Sequence, residues 1–332
     1  IIKSNAYGHG LCVVARILDR EDIAFFMVDS LYEARTLRQG GIRSRILVLG
    51  YVRPHDMVHS HLRSIDFAVV DIEQLREIAT RARHPLRLHL KLDTGMHRQG
   101  ILPADIPEAI SILTSNEYLE VVGVATHFGD ADGPDSTHTD AQVSRWNTAA
   151  AQIAKAFPSL EYRHVAATKG MPWAKAAGTD VARLGIGLYG FDTARDGNTA
   201  LNPVLEMRSL ITSLRTIPAG EFVGYNATYV AKNPATIATV PVGYFEGVDR
   251  ALSNVGSMLV EGTVAPIAGR VSMNMSSLDV TGIPDVERGD EVVVISRDRT
   301  NLNSVEQMAA LSGTTPYVIL VHIPQHLKRV VE

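Results

Sequence analysis

Residues 23–50 open on Ile-Ala-Phe-Phe-Met-Val-Asp (23–29), pass into Leu-Tyr-Glu-Ala-Arg-Thr-Leu-Arg-Gln (31–39) and close on Arg-Ile-Leu-Val-Leu-Gly (45–50). The flanking runs are short and apolar, as strands buried on both faces of a parallel sheet should be. The middle stretch has helical spacing. This strand–helix alternation extends outward in both directions. Upstream lies a strand candidate at 1–3. Downstream come 66–70, 86–93, 120–128, 162–167 and 181–187, with helical patterns at 72–82, 105–115 and 139–156. Eight strand candidates alternating with helices predict an α/β chain with a (β/α)8 barrel of the TIM type. A doubly wound sheet is the main rival, because periodicity alone does not close a barrel.

Beyond residue 190 the texture changes. The stretch 193–203 is polar and turn-rich, as a linker would be. Strands then follow without intervening helices, at 207–216, 235–242, 257–271, 276–281 and 290–296, with turn signals at Glu261-Gly262 and Arg288-Gly289-Asp290. This reads as a mostly antiparallel β domain, with a short helix at 303–312. The expected domains are 1–196 and 197–332. The total of 332 residues agrees with two domains at roughly 150 residues each.

A net charge of −4 forces no basic face, so a nucleic-acid partner is not expected. No apolar run approaches the roughly 20 residues of a membrane span. The single cysteine, Cys12, excludes an internal disulfide framework and a multi-cysteine zinc site. It lies in a helix-like stretch and is expected to be buried and inert. Ile1 is not Met, and the first residues read as the end of a strand, so an earlier start is expected.

In a barrel, function gathers at the C-terminal ends of the strands. There the sequence places Lys3, Lys91, Asp93, Arg98, His127, His164, Thr168 and Arg183. Such a set suits an anionic, carbonyl-bearing ligand. A lysine desolvated at a barrel mouth becomes a nucleophilic amine able to form a Schiff base; the same position also suits an ordinary surface lysine. His164 fits equally a hydrogen-bonded core histidine. Lys91, in an apolar strand, needs a partner or neutralisation. Gly185–Gly190 matches G-x-G-x-x-G, but a loop rather than a helix follows, so a dinucleotide fold is rejected. Glycine-rich backbone after the eighth strand is, however, where barrels hold phosphate. The acidic loop 127–135 has the wrong offsets for an EF-hand, and no metal site is expected.

Seven ordered motifs carry a resemblance. They are Ile2-Lys-Ser-Asn-Ala-Tyr-Gly-His-Gly10, Lys91-Leu-Asp-Thr-Gly-Met-His-Arg98, Thr126-His-Phe128, Arg183-Leu-Gly-Ile-Gly-Leu-Tyr-Gly190, Val223-Gly-Tyr-Asn-Ala-Thr-Tyr229, Pro241-Val-Gly-Tyr-Phe-Glu-Gly247 and Gly269-Arg-Val-Ser-Met273. Together they resemble the alanine racemase family along nearly the whole chain. The resemblance implies pyridoxal 5′-phosphate held by Lys3 as a Schiff base. It makes Tyr225 the second base, reaching across a head-to-tail homodimer. Tyr7, His164, Thr168, Gly185, Ile186 and Tyr244 would surround the cofactor. Arg183 would face the pyridine nitrogen, oriented by His127, while Arg98 and the Met273 backbone would take the substrate carboxylate. Lys91 matches a lysine that is often carbamylated, and Asp132, Arg250 and Arg270 match entrance residues.

The implied role is cytoplasmic supply of D-alanine for peptidoglycan. Inversion needs one base on each face of the α-carbon, which Lys3 and Tyr225 would supply. Arg183, always protonated, would give no proton to the pyridine nitrogen. Two positions depart from the family: Asn274 stands where an aspartate is usual, and Gln325 where a tyrosine is usual. Alanine, serine and larger amino acids are therefore all candidate substrates. Three rivals stand beside the racemase. A related barrel decarboxylase would have a late cysteine motif, and no Cys follows residue 12. A pyridoxal-phosphate-binding protein without activity would end after the barrel. A purely structural barrel would make the strand-end cluster a coincidence.

Overall fold

The computed structural model describes residues 1–191 and 201–332; the expected boundary at 196/197 and most of the linker lie outside the described residues. The chain packs as two units, Ile1–Ala6 with Leu11–Ala200, and Tyr7–Gly10 with Leu201–Glu332.

The first unit carries six parallel strands: β1 (Phe26–Val28), β2 (Ile46–Val48), β3 (Ile65–Val69), β4 (Leu86–Lys91), β5 (Leu119–Ala125) and β6 (Tyr162–His164). Their spatial order is the sequence order, β1 to β6. A doubly wound sheet would reverse direction at a switch point, so that rival is excluded. The intervening helices start where local chemistry dictates. Ser30 and Asp71 cap helices Leu31–Gln39 and Ile72–Arg81 by accepting the amide protons of Glu33 and Gln74. The sheet curls until its ends meet. The ring of Phe25, just before β1, lies 5.1 Å from that of Tyr162 in β6, and the Ile1 nitrogen donates to the Leu184 carbonyl at 2.6 Å.

Two of the eight expected strands need correction. Residues 1–3 contribute one strand-like bond, from the Ile2 amide to the Met27 carbonyl, because the backbone turns left-handed directly after Lys3. Residues 181–187 contribute one parallel bridge, Ala167 with Arg183, before the chain coils into a 3-10 turn at Ile186–Tyr189. Nor are the strands apolar on both faces. Parallel register aligns Ala68, His89, Gly123 and Tyr162 across β3 to β6, and Lys91, Ala125 and His164 one layer further. With period-2 alternation, Asp66 joins this side. The other side presents Phe67, Val69, Leu88, Leu90 and Val124, all buried.

In the second unit every strand pair is antiparallel. Strands β7 (Met207–Leu210), β8 (Ser213–Ile217), β9 (Phe222–Val223), β10 (Tyr229–Val230), β11 (Ala235–Val240), β12 (Ser257–Val260), β13 (Thr263–Pro266), β14 (Ser276–Asp279) and β15 (Glu291–Ile295) follow in order. They form the sheets β14-β11-β8 and β13-β12-β15-β7 and the ribbon β10-β9. Glu261 and Gly262 both have positive φ, closing β12 onto β13 as a two-residue hairpin. The expected strand 207–216 is therefore two strands, and 257–271 is mostly a hairpin. Helix Pro316–Val321 was not anticipated. Among the described residues, no helix is long and apolar enough to cross a membrane.

Candidate active site

Lys3 heads a left-handed turn: Ser4, Asn5, Ala6 and Tyr7 have φ of 56, 56, 52 and 51°. None is glycine, and each such residue costs roughly 1–2 kcal/mol, so the surroundings must hold the turn. Glu33 does so. Its carboxylate accepts the Asn5 amide at 3.2 Å and the Asp29 amide at 2.8 Å. The Asn5 side chain in turn accepts the Leu11 amide at 2.9 Å. The Lys3 ammonium pairs with Asp29 at 3.3 Å and stays partly exposed.

Arg183 is 6% exposed and spends four guanidinium protons on the protein. Nη1 donates to His164 Nδ1 (3.3 Å) and the His164 carbonyl (2.8 Å); Nη2 donates to His127 Nδ1 (2.9 Å) and the Val165 carbonyl (2.6 Å). Its Nε–H has no hydrogen bond among the described residues. Burial lowers Arg183 to about 10, so it stays charged at neutral pH. His127 is held near 3 by burial and then by Arg183, and is neutral.

Lys91 donates to Gln99 Oε1 at 3.1 Å. Burial first, then Arg98, Arg183 and Lys3, bring it down to about 8. At neutral pH it therefore keeps its charge in most molecules, with Gln99 as its hydrogen-bond partner. Exposed Arg98 follows a turn organised by Asp93, whose Oδ1 accepts the amides of Gly95, Met96 and His97. Thr168 Oγ1 accepts the amides of Gly185 (3.2 Å) and Gly187 (3.3 Å), while the Ile186 amide has no partner among the described residues. A Cβ at Gly187 would stand 2.7 Å from Thr168 Cγ2, so this loop closes only on glycine. A lysine amine, a cation with one uncommitted donor, and a hydroxyl beside glycine-rich amides form a donor set that fits a phosphorylated pyridine aldehyde. His164 has no exposed surface and would act through Arg183 rather than on a ligand. Asp132 forms an ion pair with Lys169. Cys12 is half-buried rather than buried.

In the second unit Tyr225 stands 67% exposed in the 3-10 turn Tyr225–Ala227 that separates β9 from β10. Gly269 braces it from below: a Cβ there would stand 2.5 Å from the Val223 carbonyl. Tyr244 and Met273 are 45% and 56% exposed. Their segments lock together, with the Tyr244 amide donating to Ser272 and the Phe245 amide to Met273. The Met273 amide has no hydrogen bond among the described residues. Tyr244, Arg250 and His322 line one cleft. Arg270 is half-buried, and its Nε has no partner among the described residues. Buried Tyr7 lies 6.0 Å from the Tyr317 ring and is pushed up to about 12, by burial and then by Tyr317. Asn274 donates to Glu246 at 2.8 Å. An aspartate there would set its carboxylate against that of Glu246.

Sequence reasoning missed Asp29, Glu33, Asp66 and His89. Asp66, wholly buried, accepts from Arg45 (2.8 Å), Arg87 (3.2 Å) and His89 Nε2 (3.3 Å), and His89 Nδ1 lies 2.8 Å from His164 Nε2. The available signal was a charged residue opening the apolar run Asp-Phe-Ala-Val-Val.

Acid should unfold this unit early. His89, His127 and His164 all lie below the usual imidazole range, chiefly through burial. Unfolded, each takes a proton near pH 6.5; folded, each stays neutral. The unfolded state therefore binds more protons, and stability falls as pH drops below 6.5. The slope approaches about 1.4 kcal/mol per pH unit for each histidine. Calorimetry should show the melting temperature dropping steeply from neutral pH to about pH 5; a flat profile would contradict this.

Residues 1–193 match the family model described as alanine racemase, N-terminal domain, and residues 204–331 the one described as alanine racemase, C-terminal domain. The alanine racemase of Syntrophobacter fumaroxidans is 37% identical over 328 residues, covering 97% of this chain and 87% of the relative. That of Sorangium cellulosum is 37% identical over 341 residues, covering 99% and 90%. Among solved structures, alanine racemase from Bacillus anthracis with bound L-Ala-P superposes with a TM-score of 0.88 at 28% identity, covering 97% of this chain and 85% of that one. The enzyme from E. faecalis gives 0.89 at 28% identity, covering 98% and 88%.

Proposed function

Because this chain belongs to the alanine racemase family of pyridoxal 5′-phosphate-dependent isomerases, we propose that it racemises alanine with Lys3 and Tyr225 as its two bases. The carrying observation is the Arg183 cluster. Four of its guanidinium protons are committed to the protein, which leaves Nε–H as a fixed donor for a ring nitrogen. Lys3 would hold the cofactor, which would supply the electron sink that acidifies the α-hydrogen of the amino acid. Arg183 would donate a hydrogen bond to the ring without surrendering its proton. On the first unit, Thr168 and the amides of Gly185 and Ile186 would hold the phosphate and Arg98 the substrate carboxylate; on the second, Tyr7 and Tyr244 would serve the phosphate and the Met273 amide the carboxylate. Lys3 and Tyr225 move the α-proton, one for each enantiomer.

The second base comes from a partner subunit in a head-to-tail dimer. Tyr225, Phe245, Met273 and Met275 are large side chains more than half exposed on the second unit, as an interface would require. Incubation with L- or D-alanine, followed by chiral chromatography, tests the reading. Both enantiomers should converge on an equal mixture, with activity abolished by borohydride reduction. Release of carbon dioxide and an achiral amine would instead indicate a decarboxylase, and absence of turnover a binding protein.

The substrate range extends beyond alanine. Gln325 is exposed, and its carbonyl accepts from Arg329, while the neighbouring His326 stacks on Phe245 at 4.8 Å. A flexible amide is a poorer steric wall than a phenol. An apolar pocket separates substrates differing by one methylene by only about 1–3 kcal/mol, so strict selection needs steric closure. The enzyme is expected to turn over serine as well as alanine, and Gln325→Tyr to sharpen the preference for alanine about tenfold. Specificity constants measured for both substrates check this; strict alanine selectivity unaltered by the substitution would place the gate elsewhere.

A further inference from the structure

Arg183 stands at one end of a buried chain of polar groups whose proton positions are dictated by its two ends. A guanidinium only donates, so His164 Nδ1, 3.3 Å from Arg183 Nη1, must accept. His164 then carries its proton on Nε2 and donates to His89 Nδ1 at 2.8 Å. His89 in turn carries its proton on Nε2 and donates to Asp66 Oδ2 at 3.3 Å. The other Asp66 oxygen accepts from Arg45 and Arg87; against the opposing effect of burial, His89 and then Arg45 hold the carboxyl below its usual range. Asp66, His89 and His164 are at most 1% exposed, so water cannot substitute for any member.

The fold reserves space for this chain. Register between β4 and β5 slips by one residue after Leu88, so that Gly123 rather than Val122 faces His89. A Cβ at Gly123 would lie 2.1 Å from His89 Nδ1. The imidazole lies flat against Tyr162, with ring centroids 5.7 Å apart, and edge-on to Phe25. A glycine inside a strand weakens it; here it makes room for an oriented histidine.

We propose that His89 and Asp66 are positioning residues that fix His164 as its Nε2–H tautomer and thereby hold the Arg183 guanidinium in its acceptor cage. The proposal rests on the reading above only in making Arg183 the cofactor's contact. Relay and cage are properties of the protein without cofactor.

The experiment uses the full-length protein with 15N-labelled histidine. In the cofactor-free native protein, both His164 and His89 should appear as neutral Nε2–H tautomers throughout neutral pH. Asp66→Asn keeps the shape but turns an amide donor towards His89 once its oxygen faces Arg45 and Arg87. His89 must then accept at Nε2 and donate from Nδ1, and His164 must follow, pointing a proton at Arg183. The expected spectrum is a switch of both rings to Nδ1–H. Expected with it are a rise of about tenfold in the pyridoxal-phosphate dissociation constant and a fall of about tenfold in kcat of fully loaded protein, with KM for alanine within about twofold. His89→Phe keeps the aromatic stacking but cuts the relay, and should show the same losses. His89→Gln, which retains a donor and an acceptor, should recover part of them. Nδ1–H tautomers in the native protein, or variants with native cofactor affinity and kcat, would overturn the proposal. Because the tautomers are read without cofactor, they stand or fall separately from the racemase reading.

Discussion

Lys3→Ala is expected to abolish racemisation in both directions, by at least about 10³-fold, because one side chain serves as both anchor and base. The fold should survive. Lys3 is partly exposed and its ion pair with Asp29 is solvent-facing; such pairs contribute about 0–1 kcal/mol. The left-handed turn that presents it is held by Glu33 and by the Asn5 side chain, neither of which involves the lysine amine. Calorimetry should therefore find an almost unchanged melting temperature beside lost turnover. A borohydride-reducible adduct that persisted on the variant would remove Lys3 from the anchor position.

Tyr225→Phe is expected to lower racemisation by about 10²–10⁴-fold, the span of a lost general acid–base group, while cofactor binding is kept. The phenol is 67% exposed, so its removal leaves no buried partner unsatisfied. Exchange of the α-hydrogen with solvent should continue from the one enantiomer that Lys3 serves. The two variants together test the dimer. If each site pairs Lys3 of one subunit with Tyr225 of the other, a mixed dimer of Lys3→Ala and Tyr225→Phe has one fully native site and one doubly altered site. Random reassociation makes half the dimers mixed, so about one quarter of native activity should return. No recovery after demonstrated subunit exchange would place both bases on one chain.

Local patterns were enough to place the six regular strands, most of the helices between them and a change to antiparallel strands beyond residue 190. Apolar runs, turn residues and helix caps act within a few residues, and each is written where it acts. The motifs likewise named Lys3, Arg183 and Tyr225, and the strand-end position named Thr168. The left-handed turn after Lys3 was not legible, because nothing in Ser-Asn-Ala-Tyr demands positive φ; Glu33, on the helix after β1, holds it there. The polar face of the sheet was not legible either. Asp66, His89 and His164 lie 23 and 75 residues apart in sequence and meet only because the sheet curls and β4 slips one residue against β5. Composition and spacing fix which backbone conformation a segment prefers. Which side chains share protons depends on inter-strand register and curvature, and those arise only when all the strands pack at once.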